Sequence, residues 1–471
     1  MFLTEELPYK HDCPKSIEDY AKKLIDKSFK EIFNKDIEKA GNKGGLGQLL
    51  EEEFFYLQNN SDSEPDFKEA GVELKATPFK KKKSNSFCAK ERLVLGIINY
   101  MEVHKEEFDK SSFMKKNALL LLVFYLYEEG VSRLDYLIKF VQLFQFPEKD
   151  LLIIRDDWNK IVGKIRLGQA HELSEGDTNF LGACTKGANK ETVRQQPFNN
   201  IKARQRAFCL KQSYMTYVLN EYIIKEKKTY DATLIKDPKV LKNQSFEDFV
   251  ISKISAFAGK SIDELSTIFD VHIDPKAKNY ASRVADNVML GILGVNSKKI
   301  EEFKKANIKI KTIRLENNGK LVESMSFPAF KFTEIIKEEW EESTLREMFL
   351  NTRFLFVIYQ YDENEVLKLK KAMFWNIPFN DLEDDVRDVW QKTVETVISG
   401  VKVIKKSGKR EFNNLPSAKE NRVAHVRPHG RDKTDTYPLP TGGEFPKQCF
   451  WLNNSYILGQ ITKNDSIGGI E

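Results

Sequence analysis

The sequence predicts a mixed α/β (α+β) protein built twice over, and three observations carry that expectation. Helical and strand patterns alternate within each half, the halves repeat one another in order, and 471 residues suffice for at least two domains. The helical signal comes first. Pro14 and Ser16 are followed by the acids Glu18 and Asp19, and Ile17, Tyr20, Leu24, Ile25 and Phe29 recur at three- and four-residue spacing, which predicts an opening helix. Strands follow it. Val72–Lys75, set between Gly71 and Pro78, and Ala118–Tyr127 are apolar, aromatic and short enough for buried sheet.

The repeat is visible as four collinear echoes. Ser16–Tyr20 recurs as Ser245–Phe249, Leu121–Glu128 as Leu355–Asp362, Arg155–Trp158 as Arg387–Trp390, and Phe208–Tyr214 as Phe450–Tyr456, at offsets of 229, 234, 232 and 242. Near-constant offsets in one order predict a duplicated domain of roughly 235 residues. The join falls in the charged stretch Lys225 to Gln244, which gives domains 1–225 and 226–471.

Composition excludes several classes. With 41% hydrophobic and 31% charged residues the chain reads as globular rather than disordered. The longest apolar run, Ala118–Tyr127, is too short to span a bilayer, and Met1–Asp12 shows neither a signal nor a transit peptide, so no membrane partner and a cytoplasmic location are expected. Five scattered cysteines without a CxxC pair are expected to be reduced and structural. A net charge of +5 is too small to prove a polyanionic partner, so the distribution of charge matters more. Leu181–Lys211 holds seven basic residues against Glu191 alone, and Val401–Lys433 holds ten against three acids. Either run alone is an ordinary solvated surface; two at similar places in the repeat suggest a polyanion.

The sharpest local pattern is Asp66, then Glu73, then Lys75. On a strand Glu73 and Lys75 share a face while Val72 and Leu74 take the other. Two converging carboxylates suit Mg²⁺, an oxygen-seeking cation that stabilises charge on a scissile phosphate, and a nearby ammonium can orient water or steady the transition state. The triplet alone is weak in so charged a chain, since the stretches Glu226–Lys228 and Glu302–Lys304 show the same spacing. Upstream, Gly41–Glu51 forms a Gly-rich entry into an apolar helix whose Glu51 could join the site; its spacing is neither a P-loop nor GxGxxG, so no nucleotide cofactor is expected.

These residues resemble a known family. Asn42-Lys43-Gly44 with Gly47–Glu51, then Asp66, then Gly71–Lys75, are similar to the MutH family of GATC-specific DNA endonucleases, and Ala170–Gly176 with Cys184–Asn189 extend the likeness to its larger members, restriction enzymes with two fused MutH-like domains. The resemblance covers essentially the whole chain. It implies a restriction-endonuclease-like core, Mg²⁺-dependent double-strand cleavage at GATC, metal ligation by Asp66 and Glu73, and active-site roles for Lys75, Glu51 and Lys116. It also implies a cognate methyltransferase in the same system and a dimer induced by DNA.

The second half departs from this pattern. Ile308–Thr312 aligns with Val72–Ala76, which puts Lys309 at the place of Glu73, Glu302 at that of Asp66, and Leu350 at that of Lys116. A lysine repels Mg²⁺, so this half is expected to be unable to hydrolyse DNA. Its basic loop Val426–Arg431 resembles the family's groove-entering Arg-Pro loop, so Arg427 and Arg431 imply retained DNA binding and a second, allosteric GATC site. In the first half Lys186 is the first candidate for reading a base, and Lys43, Arg194, Arg204, Arg206 and Lys211, with Lys202, are candidate DNA contacts. A DNA-touching aromatic residue of the family falls at Cys209 here. His171, beside Glu172, is a lesser site candidate. The expected function is therefore a type II restriction endonuclease with an effector domain; a mismatch-repair nicking enzyme and a non-catalytic GATC-binding protein remain alternatives.

Overall fold

A computed structural model describes residues 7–33, 45–58, 64–82, 86–187, 192–225, 230–277, 280–404 and 412–467. Contacts divide the chain into two compact units, residues 1–249 with 294–308, and residues 250–293 with 309–471. By contacts, then, residues 230–249 and the segment 294–308 pack with the N-terminal half. The buried carboxylate of Glu302 explains part of this: it accepts the backbone N–H groups of Leu234 (3.0 Å) and Ile235 (3.1 Å).

The first unit carries strands β1 (Glu73–Lys81), β2 (Phe87–Ala89), β3 (Leu93–Ile97), β4 (Leu120–Leu126), β5 (Ile138–Phe144), β6 (Leu181–Thr185), β7 (Val193–Gln196), β8 (Asn199–Arg204) and β9 (Arg206–Leu210). They form a larger sheet in the order β2-β1-β4-β5, a second sheet β3-β9-β6, and the hairpin β7-β8. β1 and β4 run parallel, with Glu73 opposite Leu120 and Lys75 opposite Leu122. The run Leu-Leu-Leu-Val-Phe of β4 is buried throughout, as a strand covered on both faces should be. Leu74, Leu121 and Val123 join Ile17, Phe29 and Phe55 in one core, where each buried side chain contributes about 1.5–3 kcal/mol.

The opening helical period is two helices rather than one. Pro14–Ala21 ends in a short 3₁₀ turn, and the chain restarts at Phe29–Phe33. Between them Asp26 takes φ 62° and donates its N–H to Ile138 O at 2.8 Å, so the end of β5 captures backbone that side-chain spacing assigns to a helix. The long helix Glu148–Arg166 obeys its pattern better, with acids in the first turn, bases in the last, and Ile153, Ile154, Trp158, Ile161, Val162 and Ile165 buried along one face. It stops at Gly168, whose φ of 69° and approach to Phe198 and Asn199, 3.0 Å from a would-be Cβ, leave no room for a side chain. On the same helix Asp157 is fully buried and accepts the N–H groups of Asn179 (2.7 Å), Phe180 (2.6 Å) and Leu181 (3.0 Å), which pins the start of β6.

The second unit repeats this plan with β10 (Ile308–Leu315), β11 (Met325–Phe330), β12 (Arg353–Tyr361), β13 (Leu367–Trp375), β14 (Val403–Ile404), β15 (Phe412–Asn413), β16 (Ala424–Pro428), β17 (Thr436–Pro438), β18 (Glu444–Pro446) and β19 (Gln448–Leu452). The sheet β10-β12-β13 follows β1-β4-β5, the sheet β11-β19-β16 follows β3-β9-β6, and the hairpin β17-β18 stands where β7-β8 does. Its core gathers Phe327, Phe354, Phe356, Trp375 and Trp390. Among the described residues no helix is long and apolar enough to cross a membrane.

Candidate active site

The site is built at the N-terminal end of β1. Phe67 and Val72 exchange backbone hydrogen bonds at 2.9 and 3.2 Å around the turn 68–71, where Gly71 takes φ 63°. That turn folds Asp66 back beside the strand. Its Oδ2 accepts the Leu74 N–H at 2.8 Å, and its own N–H donates to Glu73 Oε2 at 3.1 Å. Lys75 Nζ donates to Glu73 Oε1 at 2.5 Å, and Lys116 Nζ lies 3.6 Å from that oxygen. Lys116 arrives from the last turn of the helix Ser112–Asn117, capped by the Ser111 hydroxyl, immediately before β4. The parallel pairing of β4 with β1 brings the two together, since Glu73 N–H donates to Leu119 O at 3.0 Å.

Glu51 completes the group electrostatically. It lies in a turn of π-helix that continues the short helix Leu46–Leu49, packed over β1 with Gly47 facing Ala76. Burial, then the charge of Asp66, pushes the Glu51 carboxyl up to about 7 against the pull of Lys75 and Lys116. Burial raises Glu73, only 1% exposed, to about 6; Lys75 opposes that rise and Asp66 adds to it. Carboxylates that raise one another's pKa in a desolvated place are what a divalent cation relieves, and an all-oxygen donor set suits a hard one. Among the described residues no group of three or more His, Cys, Asp or Glu is drawn together as a finished metal nest; the fit rests on Asp66 and Glu73, with Glu51 at the margin.

Comparison with known proteins decides the family. Type II restriction enzyme Sau3AI of Staphylococcus aureus is 38% identical over 484 residues, covering 95% of this chain and 98% of that protein. The chain belongs to the MutH-like family of type II restriction enzymes. The family described as DNA mismatch repair enzyme MutH matches residues 55–157 and 292–385, once in each half, so the mixed α/β fold is a tandem of MutH-like domains. DNA mismatch repair protein MutH of Shewanella woodyi is 26% identical over 182 residues, covering 38% of this chain and 77% of that protein. Its counterpart from Shewanella amazonensis is 30% identical over 148 residues, covering 31% of this chain and 64% of that protein. The restriction enzyme is accordingly a site-specific deoxyribonuclease that binds DNA.

The expected DNA contacts of this restriction enzyme divide into two groups. Lys186 is exposed, and its backbone is held from both sides by Gln205, through Lys186 N–H to Gln205 O (2.9 Å) and Gln205 Nε2 to Lys186 O (2.7 Å). Arg194 and Lys202 are exposed on the hairpin β7-β8, where Arg204 is half-buried. Two expectations need correction. Arg206, 2% exposed, donates to Ala183 O at 2.7 Å, and Lys211, also 2% exposed, donates to Thr178 O, so both serve the fold and neither is open to an outside ligand. Arg206 opens β9, the central strand of its sheet, and Lys211 follows directly after its last residue. Lys43 lies outside the described residues. His171 binds Gln196 Nε2 at 3.0 Å and so braces the hairpin rather than the carboxylates.

Cys209 is fully buried on β9, so its own side chain is not available to DNA. The corresponding place on β19 is Trp451, which lies under the Arg427 guanidinium at 5.0 Å and beside the rings of His425 and His429. In the second unit Arg427 and Arg431 are exposed, whereas Leu350, at the place of Lys116, is buried in the core. Glu302, at the sequence place of Asp66, is buried in the first unit with its carboxylate taken up by the N–H groups of Leu234 and Ile235. Two contributors carry little or no signal in the sequence. Asp157 shows itself only as an acid on the apolar face of a helix. Arg92 forms an ion pair with the buried Glu175 and carries no motif at all.

Proposed function

We propose that the chain makes Mg²⁺-dependent double-strand breaks at GATC, with residues 1–225 catalytic and residues 226–471 a degenerate, DNA-binding effector. The observation that carries this reading is the convergence of Lys75 and Lys116 on one oxygen of the buried Glu73 carboxylate, beside Asp66. Asp66 and Glu73 would hold the cation, which when bound supplies charge for the scissile phosphate and lowers the pKa of water. Glu73 is fixed by its own strand and by the Asp66 N–H, so the carboxylates keep their place without DNA. Lys75 and Lys116 set two ammonium groups against the phosphate oxygens on which charge grows as water attacks phosphorus and a P–O bond breaks. Glu51, held near neutrality, is suited to exchange a proton with that water.

The exposed Lys186 is assigned to a base edge, and Arg194 to the DNA backbone. In the second unit Arg427 and Arg431 are assigned to a second GATC duplex whose binding raises cleavage at the first. A methyltransferase that protects the host's sites, pairing of two chains on DNA, and action in the cytoplasm belong to the same reading.

The test is to incubate the protein and its Asp66→Ala variant with unmethylated plasmid and Mg²⁺ and to sequence the ends. Double-strand breaks confined to GATC and absent with the variant are expected. Nicks alone would favour a repair-type enzyme, and retention of a GATC duplex without cutting would make the protein a binder. For the effector, a two-site plasmid should be cut faster than a one-site plasmid, and a short GATC duplex in trans should rescue the slower one; equal rates would sink this part.

A further inference from the structure

The strand that stands where β1 does carries no acid in its first turn of side chains. On β10 alternation places Lys309, Lys311, Ile313 and Leu315 on one face. Ile313 and Leu315 are buried in the core of the second unit, while Lys309 is exposed at the strand's beginning. Lys311 lies between these extremes. It is half-buried, with its ammonium 5.8 Å from the centre of the Phe327 ring, which comes from β11 in the other three-stranded sheet. Among the described residues neither lysine has a hydrogen-bond or ion-pair partner.

Burial, and then the charge of Lys309, pulls the Lys311 pKa below the ordinary lysine value, and no carboxylate offsets them. Side chains two apart on a strand are separated by about 7 Å, close enough for two ammonium groups on flexible stems to converge on one anion. Desolvating a cation beside a like charge is unfavourable unless an anion arrives. The pair occupies the strand position at which the first unit gathers Glu73 and Lys75.

We infer that Lys309 and Lys311 form a phosphate clamp, in which a backbone phosphate of duplex DNA sits between the two ammonium groups in the place that the first unit gives to its carboxylates. The inference rests on the reading that the second unit binds DNA, and it adds how: the former cleavage site grips the backbone without a cation and cannot cut it. Binding there is therefore independent of Mg²⁺ and steeply dependent on salt.

The experiment uses the full chain with Asp66→Ala, so that nothing is cleaved, a short GATC duplex, and a chelator. Native mass spectrometry counts duplexes per chain, and titrations at several salt concentrations give the affinity of the weaker site. Two duplexes per chain are expected. Adding Lys309→Gln and Lys311→Gln should weaken the second by about tenfold or more and lower its salt slope by about 0.9, the value of one phosphate contact. Lys309→Arg with Lys311→Arg should restore both. An unchanged second affinity and slope in the Gln variant would overturn the clamp while leaving the DNA-binding reading standing. A single duplex per chain in the parent would remove the DNA-binding reading, and the clamp with it. If inorganic phosphate raises the melting temperature of the parent but not of the Gln variant, and duplex affinity is equal in both, the lysines hold a free anion and the DNA clamp is wrong.

Discussion

β1 and β10 begin equivalent sheets, yet Glu73 and Lys75 on the first become Lys309 and Lys311 on the second. Around β1 a tight turn returns Asp66 to the strand and a helix delivers Lys116, so opposite charges crowd one point. Around β10 the acid that aligns with Asp66 is buried elsewhere, and Leu350 fills the core where a lysine would point outward. The sheet order survives duplication because it depends on apolar burial, which tolerates many substitutions. The set of carboxylates and lysines does not survive, because it depends on a few atoms held within a few tenths of an ångström.

The largest effect is expected from exchanging the two strands' residues. Glu73→Lys gives the first unit the second unit's charge and should reduce cleavage by more than about 10³-fold, since it removes a carboxylate proposed to hold the cation and sets a third ammonium beside Lys75 and Lys116. Duplex binding measured with a chelator should be retained. The reverse exchange, Lys309→Glu in the Glu73→Lys background, should restore nothing, because no carboxylate corresponds to Asp66 and no lysine to Lys116. Recovered cutting in the plasmid assay would show that one residue separates the units.

Lys116→Leu copies the second unit more gently. Asp66, Glu73 and Lys75 remain, so the loss should be about 10²-fold in kcat with little change in duplex affinity. If single-turnover cleavage equals that of the parent, Lys116 is a surface lysine and its 3.6 Å approach to Glu73 is incidental.

How much of this was legible in the chain depends on whether the signal was local. Asp66, Glu73 and Lys75 lie within ten residues, and the strand that carries them could be read from its own alternation. The duplication was legible because strands such as Leu121–Leu126 and Leu355–Gln360 keep their apolar residues. The break at Asp26 was not, because the partner that makes it, Ile138, is over a hundred residues away. Arg206 and Lys211 looked like DNA contacts because charge runs do not reveal which side of a central strand a residue faces. The placement of 294–308 in the first unit depends on buried polar pairing such as that of Glu302, which no apolar period announces.

Acid should distinguish the units as well. Glu73 and Glu51 are raised to about 6 and about 7, so in the cation-free fold their contribution to stability is fully present below the ordinary carboxylate range and is lost as pH rises through those values. Cation binding has the opposite sign, because it requires the ionised carboxylates. Mg²⁺ affinity should therefore climb as pH rises through about 6 and level off above about 7. Calorimetry in two buffers of different ionisation enthalpy should show protons released on binding below that plateau. Glu73→Gln should abolish most of the binding, and a pH-independent affinity in the parent would contradict the raised carboxyls. The second unit, with lysines in this place, should contribute no cation binding at any pH.

The smallest effect concerns stability rather than activity. Lys311→Met keeps the length of the stem against Phe327 and removes a half-buried charge that has Lys309 as its neighbour. In the absence of DNA this should stabilise the second unit by about 0.5–1 kcal/mol, seen as a higher urea midpoint without a change in slope. The matched change in the first unit, Lys75→Met, should do the reverse, because Lys75 offsets the buried Glu73 at 2.5 Å and its removal leaves that carboxylate less compensated. Opposite signs for the same substitution at corresponding positions would show that the first site is arranged around a carboxylate and the second around an anion supplied from outside. Equal signs would mean that the two lysines differ only in their neighbours' names.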